Sequence, residues 1–183
     1  ATPRHDGWLT LAHVGNAGMS HQDSIEMAEA YQPLIVRKKY LVTDTEGAGR
    51  TRGAPSCYVE FEPTHDSFSI AYVCDGIINA ARGARGGGTG GPAIARKQLV
   101  NGDVVDLDAC AQVEVRPGES ILSTSCGGGG YGDPFQRPAE AVLEDCQEGF
   151  ISRERARLVY GVVISSEGTV VRDQTEALRN FRS

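Results

Sequence analysis

The sequence predicts an α+β chain that is mainly β, with antiparallel sheets forming a sandwich or partial barrel and a short helical segment at the C-terminal end. Three observations carry this. Apolar and polar residues alternate in short runs through the first three quarters of the chain. Turn signals rich in Gly, Pro, Asn and Asp separate those runs. After Pro138 the spacing becomes helical, with Ala139, Val142, Leu143, Cys146 and Phe150 on one side and Glu140, Glu144, Asp145 and Gln147 on the other. Residues 1–134 therefore read as a β-rich region and 135–183 as a helical tail packed on the same core, one domain overall.

Taken in order, residues 8–14 (Trp-Leu-Thr-Leu-Ala-His-Val) read as a strand closed by Gly15-Asn16-Ala17-Gly18. Residues 19–29 are polar and fit a loop as well as a helix. Residues 35–42 form a strand with Val36, Tyr40 and Val42 on one face and Arg37 and Lys39 on the other. Cys57, Val59 and Phe61 make one apolar row, and Phe68, Ile70, Tyr72 and Cys74 make a second. The short connection Pro63-Thr64-His65-Asp66-Ser67 predicts that these two runs pair as an antiparallel hairpin. Asn101-Gly102 turns into Val104–Leu107, Val113 and Val115 give a further short strand, and 119–122 is strand-like. In the tail, Pro138 suits a first helical turn, Gly149 a helix end, and Ser152 the cap of a second helix through Leu158. Residues 160–164 and 169–171 read as short strands, and Asp173-Gln174-Thr175-Glu176 as a capping box for a last helix.

The bulk numbers exclude several classes. With 183 residues, 40% hydrophobic and 23% charged, the chain can bury a substantial core and is not disordered. A formal net charge of -6 gives no electrostatic footprint for nucleic acid. No apolar run approaches the ~20 residues of a membrane span. The opening Ala1-Thr2-Pro3-Arg4-His5-Asp6 lacks the apolar segment of a secretory signal. Five cysteines, at 57, 74, 110, 126 and 146, are odd in number and form no C-x-x-C pair, which points to free thiols in a reducing compartment and so to the cytoplasm.

The stretch Gly127-Gly128-Gly129-Gly130-Tyr131-Gly132-Asp133 is the focus of the chain. Such a run loses much entropy on ordering, so it persists where side chains cannot fit or where φ turns positive. Its Gly-x-Gly-x-x-Gly spacing also satisfies the dinucleotide pattern, but Pro134 and Pro138 postpone the helix that would meet a pyrophosphate. A structural strand-to-helix crossing is the better reading. A second glycine zone spans residues 82–92, where flexibility is the plain alternative. Arg50, Arg52, Arg82 and Arg85 stand in glycine-rich loops and are the candidate anion contacts if the loops converge; solvated loop cations are the ordinary reading. Cys126 at the mouth of the glycine run would be activated by backbone N–H groups, yet a small buried hydrophobe is commoner. Ser56, Ser123 and Ser125 lack a nucleophile elbow. His21 and Asp23 offer two metal donors on a loop, with His13 eight residues before, but two polar residues on a solvated loop is the stronger reading. No catalytic residue and no metal ligand is assigned.

The glycine stretch, followed by the helix from Ala139, then Gly149-Phe150-Ile151-Ser152, residues 156–163 and Gly168-Thr169-Val170, resembles the C-terminal portion of hydantoinase-B-type subunits. That family spans hydantoinase B, 5-oxoprolinase and the acetone and acetophenone carboxylases. Pro33-Leu34-Ile35-Val36 and the segment Asp44-Thr45-Glu46-Gly47-Ala48-Gly49-Arg50-Thr51-Arg52-Gly53 resemble a second family motif, which adds Gly47, Gly49 and Gly53 to the glycine set. Order and spacing agree over residues 6–179.

The resemblance implies a small subunit of a multisubunit ATP-dependent enzyme that carboxylates a ketone or hydrolyses a cyclic amide through a phosphorylated intermediate. Division into several polypeptides leans toward the acetophenone carboxylase branch. It implies larger hydantoinase A-like and hydantoinase B-like partner subunits, with ATP, Mg and a divalent metal held there and no cofactor in this chain, whose role would be structure and assembly. An N-methylhydantoinase or 5-oxoprolinase-type amidohydrolase subunit, a non-catalytic β scaffold or binding domain, and a fragment of one longer chain remain open beside it.

Overall fold

The computed structural model describes residues 1–9, 11–13, 19–21 and 24–181, with 11–13 and 19–21 described by backbone alone. The strands are β1 (Leu11–His13), β2 (Met19–His21), β3 (Leu34–Val42), β4 (Ser56–Pro63), β5 (Phe68–Val73), β6 (Ile94–Gln98), β7 (Val104–Asp106), β8 (Cys110–Val115) and β9 (Ser120–Thr124). The helices are α1 (Ile25–Tyr31), α2 (Ala139–Gln147), α3 (Arg153–Tyr160) and α4 (Arg172–Asn180). The sheet order β3-β4-β9-β6-β7 forms the main layer, β5 pairs with β8, and β1 with β2. Every strand pairing among the described residues is antiparallel, and no sheet closes into a barrel.

The expected hairpin of residues 57–61 with 68–74 does not form. Both edges of β4 are taken, by β3 and β9, so β5 leaves the sheet and pairs with β8. Phe61 and Phe68 still meet, their rings stacked at 6.3 Å, but across two layers rather than along a ladder. Register partners place Val59, Phe61, Ser123, Ile121 and Ala95 on the inner face of the main sheet. Val115 of β8 is fully buried. The opposite face carries the ion pairs Lys38–Glu60, Arg37–Glu62 and Arg96–Asp106, exposed pairs of small energetic weight.

Other differences are local. A register shift between Val36 and Lys38 breaks the expected alternation of β3 and leaves Tyr40 exposed, stacked on Tyr58 at 4.8 Å. Residues 19–29 divide into β2 and α1, with Ser24 Oγ accepting the Met27 N–H. The strand over 8–14 is confined, among described residues, to Leu11–His13. Tyr160 ends a helix rather than starting a strand, and only an isolated Ile164–Val170 bridge remains of the second hairpin. The capping box at 173–176 is absent because α4 begins a residue earlier, at Arg172, so Asp173 already lies in the first turn. Ser152 caps α3 as expected, its Oγ accepting the Arg155 N–H.

The apolar core of the tail is built from Val142, Ile151, Ala156, Tyr160 and Val162, and it reaches across the chain to Ala48. That contact seats α2 and α3 on the loop following β3. No helix among the described residues is long and apolar enough to cross a membrane.

Candidate functional site

Three segments outside the ladders meet beside Ala48: residues 44–55, 81–92 and 126–133. Toward 44–55, Gly128 donates to the Ala54 carbonyl at 2.8 Å and accepts from the Gly47 N–H at 2.8 Å. Three residues on, Tyr131 exchanges both backbone bonds with Thr51 at 2.9 and 3.1 Å. Toward 81–92, Gly127 donates to Gly91 at 2.9 Å, while Gly130 donates to Gly88 at 3.0 Å and accepts from Ala84 at 2.9 Å. The third side is closed by Gly88 N–H to Ala48 at 2.6 Å and Gly91 N–H to Thr45 at 2.7 Å. The bonds toward each neighbour recur every three residues, the period of an extended threefold helix rather than of a strand. Each segment thus bonds both of the others.

At this spacing side chains have no room. A Cβ on Gly53 would overlap the Gly128 carbonyl, one on Gly130 the Ala48 carbonyl, and one on Gly49 would lie 2.6 Å from the Tyr131 nitrogen. None of these three glycines has a positive φ, so space rather than conformation excludes a side chain. Gly132 differs: its φ of +76 turns the chain toward Asp133, whose Oδ1 accepts the Phe135 N–H at 2.9 Å. The next regular helix starts at Ala139, well past the glycines.

The arginines divide. Arg52 is turned inward, its Nε donating to Asp145 Oδ1 at 2.6 Å and its guanidinium lying 4.5 Å from the centre of the Phe150 ring. It is therefore spent on a buried pair and not presented to an anion. Arg50 is exposed and donates to the Pro3 carbonyl at 3.0 Å. Arg82 and Arg85 are exposed, and Arg85 holds a φ of 54 next to Gly86. The two glycine loops converge; the four guanidinium groups do not form one cluster around an opening.

Sequence reasoning missed the ion pairs that fasten this lattice. Asp145, expected on the solvent side of α2, is 3% exposed. Its Oδ2 accepts from Arg137 at 2.9 Å, and Arg137 also bonds both oxygens of Asp6 at 2.8 and 2.9 Å. The Asp6 Oδ1 accepts the Arg52 N–H as well, at 2.8 Å. Burial pushes the Asp6 carboxyl up, but hydrogen bonds and charge from Arg137 and Arg52 outweigh it and hold it below the usual range. The available signal was spacing: Asp145 lies three residues after Val142, on the apolar stripe.

Glu46 is the second inward charge. Its side chain is fully buried; Oε1 accepts from Arg155 Nε at 2.7 Å and from the Tyr160 hydroxyl at 2.9 Å, while Oε2 has no partner. Burial raises its carboxyl above the ordinary value despite Arg155 and Tyr160. Burial, then the charge of Glu46, pushes the Tyr160 phenol up in turn.

Among candidate nucleophiles, Cys126 Sγ lies 3.4 Å from the Ala81 N–H, Ser125 Oγ accepts the Cys57 N–H at 2.9 Å, and Ser56 Oγ is buried without a partner. Among the described residues, none of these three is hydrogen-bonded to a histidine or carboxylate that would activate it. Among the same residues no group of three or more His, Cys, Asp or Glu could hold a metal ion. The side chains of His13 and His21, and Asp23 altogether, lie outside the described residues.

The described part of the chain is thus a set of antiparallel sheets whose loops knit into a glycine lattice, with acids and arginines paired inward. The chain belongs to the hydantoinase B/oxoprolinase family, whose profile matches residues 1–134. It is 32% identical over 178 residues to the beta chain of the caprolactamase of Pseudomonas jessenii, covering 95% of this chain and 31% of that one. It is 31% identical over 164 residues to the B component of a putative D-/L-hydantoinase from Pseudomonas sp. (strain NS671), covering 87% and 27%. The crystal structure of ATP-dependent caprolactamase from P. jessenii superposes with a TM-score of 0.76 at 28% identity, covering 98% of this chain and 32% of that one. Nucleotide-free acetone carboxylase shares the fold at a TM-score of 0.67 and 21% identity, covering 100% and 29%. The chain spans about a third of the length of these relatives or less.

The lattice predicts that Gly53→Ala costs about 3 kcal/mol or more in urea denaturation, because backbone must move. Gly102→Ala, at a φ of +90 in open space, costs about 1–2 kcal/mol. Asp145→Ala takes from buried Arg52 its only carboxylate among the described residues and from Arg137 one of two, and costs about 3–5 kcal/mol, whereas Glu140→Ala, in an exposed pair with Arg172, changes stability by under about 1 kcal/mol. The raised Glu46 carboxyl contributes stability that is present below 4.5 and is lost as pH rises through its folded value. Melting curves should therefore show Glu46→Gln gaining on the parent as pH climbs from acid toward neutrality; a constant difference would contradict the assignment.

Proposed function

We propose that this chain is a framework part of an ATP-dependent enzyme that opens a cyclic amide, with nucleotide and metal held by larger hydantoinase A-like and B-like partner subunits in the cytoplasm. One observation carries the framework reading. The accessible surface is 11009 Å², against about 8,500 Å² expected for a monomer of this mass. The excess of about 2,500 Å² is more than the roughly 800 Å² one partner gives up in a standard interface, and large apolar side chains contribute to it, Phe181 at 93%, Val73 at 78% and Ile78 at 75% exposure. A chain spanning a third of its relatives is expected to leave such surface to the remainder. The carboxylates and guanidinium groups of the lattice meanwhile bond one another, which suits them to hold shape.

The substrate branch follows the relatives. Those at 31–32% identity are named as a caprolactamase and a putative hydantoinase, and both names denote opening of a cyclic amide. In that chemistry a phosphoryl group transferred from ATP to the amide oxygen would open the carbonyl carbon to attack by water, the ring nitrogen would leave as the amine, and hydrolysis would then release the phosphate and the carboxylate. The ketone carboxylase reading, of which acetophenone carboxylation is the example, stands second, on the likeness in fold to acetone carboxylase. Purified with its partner subunits, the assembly should hydrolyse ATP several-fold faster with ε-caprolactam or hydantoin than without. Stimulation by aryl ketones plus bicarbonate alone would move the protein to the carboxylase branch. A lone monodisperse species of about the chain's own mass, 19.5 kDa, with no co-purifying larger chain would instead favour an independent scaffold.

A further inference from the structure

The two faces of the main sheet differ. β5 and β8 lie over the inner face, where Phe68 meets Phe61. On the outer face the register sets two rows side by side. One row is Lys38, Glu60, Leu122, Arg96 and Asp106, and its charges pair within it, Lys38 with Glu60 and Arg96 with Asp106. Pairs of this kind are ordinary on a sheet face that meets water. The other row is Tyr40, Tyr58, Thr124 and Ile94, and it holds no charged residue. Tyr40 stays 51% exposed although it stacks on Tyr58, and Ile94 is 38% exposed. The Tyr58 hydroxyl donates to Glu60 Oε2 at 3.1 Å, which fixes the stacked rings against the charged row.

The uncharged row borders the glycine lattice. Each of its four residues stands at the strand end that runs into or out of a lattice segment. The first residues of the chain are pinned to that lattice as well, by Asp6 on Arg137 and by the Gly7 N–H, which donates to the Arg52 carbonyl at 2.7 Å. Beside them lies a cleft of about 480 Å³, with His5 and Trp8 on one wall and Cys126 and Gly128 on the other. Trp8 and Tyr40 both line a second cleft, of about 280 Å³. Trp8, 64% exposed, thus extends the uncharged row past the edge strand β3. Exposed Trp and Tyr rings inside a polar rim have the composition of an interface centre, where a few aromatic anchors carry most of the binding energy. Anchors mounted on an ordered lattice lose little freedom on association.

The relatives indicate what such a surface would meet. Superposition on the caprolactamase covers 98% of this chain and 32% of that one, so most of that chain lies beyond the shared module. The excess surface noted above is room enough for one standard interface. Because the rim charges already neutralise one another, the surface offers little to an anionic partner and suits an uncharged one. We propose that the surface formed by Trp8, Tyr40, Tyr58 and Ile94 docks an apolar face of the larger hydantoinase B-like chain, with the Lys38–Glu60 and Arg96–Asp106 pairs as its rim. The identity of that chain rests on the function proposed above.

The test uses the 183-residue chain alone and co-expressed with the larger B-like chain. Hydroxyl-radical footprinting, read by peptide mass spectrometry, should show oxidation of Trp8 and Tyr40 falling several-fold in the complex. Tyr31, 74% exposed on α1 and outside the row, should be oxidised equally in both. Trp8→Ala and Tyr40→Ala should each weaken association about 10- to 100-fold while the chain still melts cooperatively, and Tyr31→Ala by less than about threefold. Raising NaCl from about 0.1 to 0.5 M should change the affinity by less than about threefold. A steep loss with salt would mean that charges carry the contact and would overturn the apolar surface, as would full-strength binding by both alanine variants. A complex in which Trp8 and Tyr40 react as in the free chain refutes the surface and leaves the proposed function standing. Protection in an assembly whose ATP turnover ignores lactams does the reverse. A homodimer of this chain that protects the same residues, or a chain that stays monomeric beside the larger one, also overturns the proposal.

Discussion

Backbone-to-backbone contact governs this molecule. Where most domains bury apolar side chains between layers, residues 44–55, 81–92 and 126–133 pack peptide groups against one another, joined by repeated backbone hydrogen bonds. Because the bonds radiate to two partners from every segment, no segment can be displaced without stranding donors on the other two. A Cβ at Gly53 or Gly130 would occupy the position of a carbonyl. This explains why so costly a composition, 23 glycines in 183 residues, is concentrated in loops that are ordered rather than loose.

A lattice of this kind has little apolar area of its own, and its fastening comes from charge. Asp145 with Arg52 and Arg137 joins α2 to two of the loops, Asp6 draws in the first residues of the chain, and Glu46 with Arg155 and Tyr160 joins α3 to the loop after β3. Buried pairs of this type add less net stability than their geometry suggests, since both ions lose water. What they add is placement: the Arg137 guanidinium, with donors aimed at the carboxylates of Asp6 and Asp145 and at the Arg50 carbonyl, admits one arrangement. The unpartnered Oε2 of Glu46 shows the cost of that placement, a carboxyl whose ionised form the interior disfavours.

The fold class was legible in the sequence because alternation and helical spacing are local properties. Strands over 34–42, 56–63 and 110–115, the end of α2 near Gly149 and the Ser152 cap all follow from short-range pattern. Pairing was not legible. A five-residue connection between two amphipathic runs normally makes a hairpin, and here it does not, because β9, some sixty residues on, competes for the same edge of β4. The glycine motif announced a close approach without naming what approached. Arg52 sat in a recognisable motif, but its partner Asp145 lies 93 residues away, and charge on an amphipathic helix reads as solvent-facing unless its position on the stripe is weighed. Glu46 stood in a turn-rich segment between Thr45 and Gly47 and gave no local sign of burial.

The clamp and the cleft are parts of one arrangement. The cleft wall that carries His5 and Trp8 is a stretch of chain with no regular secondary structure, and nothing in its own sequence would hold it at a fixed distance from Cys126. Asp6 does so, by sharing Arg137 with Asp145 and accepting the Arg52 N–H, so the width of the opening is set by the charges that also seat α2. The lowered carboxyl of Asp6 stays ionised throughout the neutral range, so its bonds to Arg137 and Arg52 persist there. A framework whose segments share their ions is already ordered before anything docks on it, so less entropy is lost on association.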